Sequence, residues 1–132
     1  MGKAKFSPST IFTKAMDIYL RDENITIEEM LKSMQGVELR LKAVAFALRT
    51  MLSYHGYRVE SETTDTSIIF KCAGMPCHEI EDKQLLGTQD VRSFCFKLVI
   101  QWGAITTQLD RMGQVPDADI KDTEKIQTAL VI

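Results

Sequence analysis

The chain has 132 residues, of which 45% are hydrophobic and 26% charged, with a formal net charge of −2. That length supports one domain (1–132) with a real core, the composition excludes wholesale disorder, and the charge excludes a protein that coats nucleic acid by bulk positive charge. Its longest apolar runs fall far short of the ~20 residues needed to cross a bilayer. The first residues lack the apolar core of a signal peptide, and Phe6 stands where a myristoylation start takes Ser or Thr. A soluble intracellular protein with no membrane or lipid anchor is therefore expected.

The first 14 residues carry Lys3, Lys5 and Lys14 and no acid, a basic arm leading into a helix. Ser7 before Pro8 supplies a cap and a first-turn proline, Ile11, Phe12, Ala15, Met16, Ile18 and Tyr19 recur at helical spacing, and Asn24 closes the element. Thr26 and Glu29 form a capping box, with Ile25 and Met30 at the spacing of a hydrophobic staple. The short helix that starts at Ile27 is expected to stop at Gly36 through a left-handed residue.

A longer helix, 37–55, follows. Leu41, Val44, Leu48, Met51 and Leu52 form its apolar stripe, widened by Leu39, Ala43 and Phe46. Glu38, Lys42, Ala45, Arg49 and Ser53 lie opposite, and Gly56 ends it. Tyr57–Glu60 and Ser67–Lys71 have strand composition and flank the polar loop Ser61–Thr66, as in a hairpin. Residues 72–87 are polar and contain Gly74, Pro76 and Gly87, which predicts a connecting loop with at most a turn of helix.

Thr88 is placed to cap a helix over 88–112, with Val91, Phe94, Cys95, Leu98, Val99, Trp102, Ile105, Leu109 and Met112 on its principal stripe. Phe96, Ile100, Gly103 and Ala104 lie off that stripe, giving this helix more apolar surface than one contact layer needs. Residues 113–132 form an acidic C-terminal segment with an apolar end, Thr128–Ile132.

The resulting fold class is mainly α (α+β): a helical domain with one β-hairpin and a long C-terminal helix. The order helix, short helix, long helix, hairpin over 8–71 resembles a winged helix-turn-helix, an architecture common among nucleic-acid-binding proteins. The resemblance implies a recognition helix at 37–55 and a wing at 57–71.

Chemistry is marked mainly by absences. No phosphate-binding glycine loop, nucleophile elbow, zinc-protease motif or calcium loop is present, so neither an enzyme nor a cofactor nor a small-molecule substrate is expected. With three cysteines and no export signal, reduced thiols are the default, and Cys95 reads as a buried hydrophobe. Cys72, Cys77 and His78 are the metal-ligand candidates, but their Cys-x4-Cys-His spacing lacks a fourth ligand, so no metal is expected. His55 suits a helix terminus, and the acid pairs Glu28/Glu29 and Glu81/Asp82 read as solvated surface.

Two functions compete. Residues 1–58 hold nine basic against six acidic side chains and residues 59–132 seven against twelve, so the helical half is the basic half. A small DNA-binding regulator would use Lys42, Arg49, Ser53 and Arg58, with Lys3, Lys5 and Lys14 on phosphates. Against it, the wing loop holds two acids and no base, Glu38 is placed to pair with Lys42, and aligning Gly36 on the turn puts Lys32 and Lys42 where small and aliphatic residues are usual. The alternative is a protein–protein interaction or assembly module, such as a viral or phage accessory factor. It would self-associate as a homodimer through Phe96, Ile100, Gly103 and Ala104, while Trp102 joins the core.

Overall fold

The computed structural model describes residues 7–33, 36–87 and 90–117. Within them the chain forms an α+β fold: α1 (Pro8–Leu20), a 3-10 turn (Arg21–Glu23), α2 (Ile27–Lys32), α3 (Val37–Tyr54), β1 (Glu60–Thr63), β2 (Ser67–Cys72), β3 (Met75–Glu81), α4 (Asp82–Leu85) and α5 (Val91–Arg111). The three strands make an antiparallel sheet in the order β1-β2-β3.

Local chemistry accounts for most boundaries. Ser7 accepts a hydrogen bond from the Thr10 amide at the start of α1, and Asn24 sits at φ 54° behind the 3-10 turn. The Thr26 hydroxyl accepts from the Glu29 amide at 3.1 Å while Glu29 Oε1 takes the Thr26 amide at 3.2 Å, completing the capping box. Gly56, at φ 91°, closes α3 in a Schellman motif: its amide reaches the Ser53 carbonyl and the Tyr57 amide reaches Leu52.

Three expectations are corrected. Gly36 is not a left-handed stop; at φ −89° it caps the N-terminus of α3, its carbonyl taking the Arg40 amide at 2.8 Å. The first strand lies at Glu60–Thr63 rather than Tyr57–Glu60, because Tyr57 and Val59 pack against the core as the chain leaves α3. Most consequentially, 72–87 is not a loop. Ala73 (φ 52°) and Gly74 (φ 78°) form a two-residue hairpin turn, and β3 and α4 follow it. Positive φ at both turn residues matches the twist of the flanking strands, and Pro76 is tolerated because β3 is an edge strand. The single expected hairpin is thus a three-stranded meander.

The core is one cluster with α3 at its centre. Ten of the 18 residues of α3 are buried, with α1, α5, β1 and β2 packed against it. The sheet contributes Ile68, Phe70, Cys72 and Ile80. Phe12, Phe70 and Phe94 are fully buried, each adding roughly 1.5–3 kcal/mol by leaving water. The α5 helix starts at Val91, with the Asp90 carboxylate accepting from the Ser93 amide at 2.8 Å, so Asp90 takes the capping role expected of Thr88, which lies outside the described residues. None of the described helices is long and apolar enough to cross a membrane.

Candidate interaction surfaces

Arg40 organises the end from which α3 emerges. It falls on the buried side of the helix, four residues before Val44 and eight before Leu48, and is only 1% exposed. Its Nε and Nη2 donate to the two carboxylate oxygens of Asp82 at 2.7 and 2.8 Å, and its Nη1 donates to the carbonyls of Ser33 (2.7 Å) and Met30 (3.2 Å). The guanidinium therefore caps the end of α2 and ties it to α4. Asp82, expected on solvated surface, is 6% exposed and belongs to this buried pair. Burial of Arg40 is tolerable only because four of its N–H groups are satisfied. Sequence reasoning missed the pair, although an arginine on an apolar stripe already signals a need for a buried acid.

With α1, α5 and the sheet packed around it, α3 leaves only a narrow strip open. Lys42 and Arg49 are exposed on it and Ser53 is half-buried, whereas Ala45, expected to face outward, is buried. Lys42 Nζ donates to Glu38 Oε1 at 2.7 Å, the pairing expected from their spacing. That hydrogen bond and the opposite charge hold the Glu38 carboxyl below its ordinary pKa and the Lys42 ammonium above its own. Phe46 interrupts the strip, its ring tilted 38° against Tyr19 at 5.5 Å. Phe46, Arg49, Thr50 and Ser53 line a shallow hollow of about 250 Å³. Lys14 is exposed on α1, and Lys3 and Lys5 lie outside the described residues.

Arg58 is exposed beyond α3 and borders a separate hollow of about 230 Å³ with Tyr57, Cys72, Leu109 and Val115. Burial, reinforced by the charge of Asp110 and a hydrogen bond to it, pushes the Tyr57 phenol up. Arg58, Lys42 and Arg49 each border a different hollow.

The metal-ligand candidates do not converge. Cys77 is the extra residue of a β-bulge between the pairs Phe70–His78 and Lys71–Pro76, and it is buried with Cys72, whereas His78 Nε2 lies 2.7 Å from Gln101 Oε1 on α5. Among the described residues, no three His, Cys, Asp or Glu side chains are grouped to hold a metal ion. All three thiols are buried, and burial raises the pKa of each.

The outer face of α5 is of a different kind. Phe96 and Ile100, one turn apart, are 65% and 53% exposed, Ala104 is exposed a turn further on, and Gly103 lies half-exposed beside it. A Cβ added at Gly103 would meet nothing within 4 Å. The opposite face buries Phe94, Cys95, Leu98, Ile105 and Leu109. Trp102, expected in the core, packs at its edge, stacked on His55 at 5.0 Å and 28°. Its Nε1 is buried with no acceptor among the described residues.

No protein-family model matches the chain, and neither do the curated proteins or the solved structures with which it was compared.

Proposed function

We propose that this chain is a non-enzymatic protein–protein interaction module that self-associates through the outer face of α5. One observation carries the reading: Phe96 and Ile100, one turn apart on α5, are both exposed, whereas the other exposed large apolar side chains among the described residues, Met75 and Val115, lie outside any helix. Covering these side chains in both copies removes apolar surface from water, the main favourable term in protein association. The purified protein is expected to run as an oligomer by light scattering, and Ile100→Glu to yield monomers with little change in melting temperature, since the site is on the surface. A monomeric parent, or an oligomer that survives the glutamate, overturns the reading.

A second reading is favoured by Lys42 and Arg49 on the open strip of α3. In it the first half works as a winged helix-turn-helix and the strip meets nucleic-acid phosphates. Supporting it is the basic balance of residues 1–58; opposing it are the lock of Lys42 onto Glu38, the exposed acids Glu62 and Asp65 around the β1–β2 turn, and the burial of Ala45. Phosphate contacts make affinity fall steeply between ~50 and ~200 mM salt, so fluorescence anisotropy on random duplex DNA at both salts tests it. Salt-sensitive binding weakened by Lys42→Ala with Arg49→Ala supports this reading, and no binding at the lower salt removes it.

A further inference from the structure

The self-association proposed above leaves the geometry of the pair open, and this inference rests on that reading. We infer that the partner is a second copy laid antiparallel across α5 about a two-fold axis at Ile100, with Phe96 of each copy seated over Gly103 of the other.

Three features of the face point to this arrangement. Phe96, Ile100, Gly103 and Thr107 follow one another at steps of four, three and four residues, the spacing of a single helix–helix contact line. Gly103 then needs a reason, because glycine is the poorest helix former after proline, and here it relieves no crowding among the described residues. Glycine in such a place lets another chain approach. In an antiparallel pair centred on Ile100, Phe96 comes within one residue of Gly103 of the partner subunit, which lies on the same flank of the contact line as Phe96, while Ala104 falls on the other flank. The largest side chain of the face thus meets the gap left by the smallest. A parallel pair would stack ring on ring at 96 and leave gap on gap at 103.

Charge selects the same orientation. Arg92 and Asp110 are both exposed and lie on the same flank of the face, near opposite ends of α5. An antiparallel pair centred on Ile100 sets each Arg92 about two residue rises from Asp110 of the partner subunit, twice over by symmetry, beside the hydrogen bond that this carboxylate takes from Tyr57 of its own chain. A parallel pair would put the two copies of this flank on opposite sides of the seam, where Arg92 and Asp110 of the partner subunit do not meet. The two helix dipoles also run in opposition only in the antiparallel arrangement.

The test is disulfide trapping under mild oxidation by oxidised glutathione, with the parent as control because its own three thiols are buried. The double variant Phe96→Cys with Gly103→Cys, and an equimolar mixture of the two single variants, are expected to give a covalent dimer on a non-reducing gel. Phe96→Cys alone is expected to give at least tenfold less. Strong cross-linking of Phe96→Cys to itself, or no cross-link in any variant of a parent that dimerises, overturns the antiparallel geometry while leaving self-association standing. A parent that is monomeric by light scattering overturns both. Gly103→Leu gives a second readout: it is expected to raise the melting temperature of the subunit while weakening the dimer at least tenfold. A dimer as tight as the parent's overturns the seating of Phe96 over Gly103.

Discussion

Arg40 and Asp82 show how much one pair can decide. Each alone is an expensive group to bury, and together they join the end of α2, the start of α3 and α4. Asp82→Asn leaves the guanidinium buried without its counter-charge and is expected to cost about 3–5 kcal/mol, read as a lower urea midpoint. The double change Arg40→Met with Asp82→Leu, which removes both charges, is expected to recover most of that loss. A double variant as unstable as the single one would mean that the geometry rather than the charge balance was lost. Half of this pair was legible in the sequence, since Arg40 keeps helical step with Val44 and Leu48. The other half was not, because a carboxylate 42 residues away gives no local sign of which cation it meets.

At the scale of elements, the sequence announced those ends whose chemistry is local. Ser7, Thr26 with Glu29, and Gly56 all act as their residue types require. It hid β3, since Gly74 and Pro76 punctuate loops and hairpins alike, and only the register with β2 tells them apart. The bulge at Cys77 also breaks the alternation that would have marked a strand. For α5, the cap carries a pH signature. Asp90 accepts hydrogen bonds from the Ser93 amide (2.8 Å) and hydroxyl (3.1 Å), chiefly through which its carboxyl is held below the ordinary carboxylate pKa. Its folded pKa being depressed, the stability it adds is present above the unfolded value of about 3.9 and is lost as pH falls through the lower folded value. Melting temperatures taken downward from pH 6 should show the parent's advantage over Asp90→Asn shrink below about pH 4. An advantage that is constant with pH would assign the effect to something other than this carboxylate.

At the scale of the molecule, the two halves of the chain contribute different surfaces to one core. The face of α5 was legible because Phe96 and Ile100 fell off a stripe that was already complete. The strip on α3 was legible only in part: periodicity gave its direction, while its width depends on how closely α1, α5 and the sheet crowd it, and they bury Ala45. The Arg40–Asp82 link has a consequence in time as well. Its partners close a long stretch of chain, so the link carries a large loop-closure cost and is expected to form after the local helices and the β2–β3 hairpin. An interaction made late on the way to the native state slows escape from it more than it speeds arrival. The salt link is in this sense a latch, setting how long a folded molecule stays folded rather than how quickly it gets there.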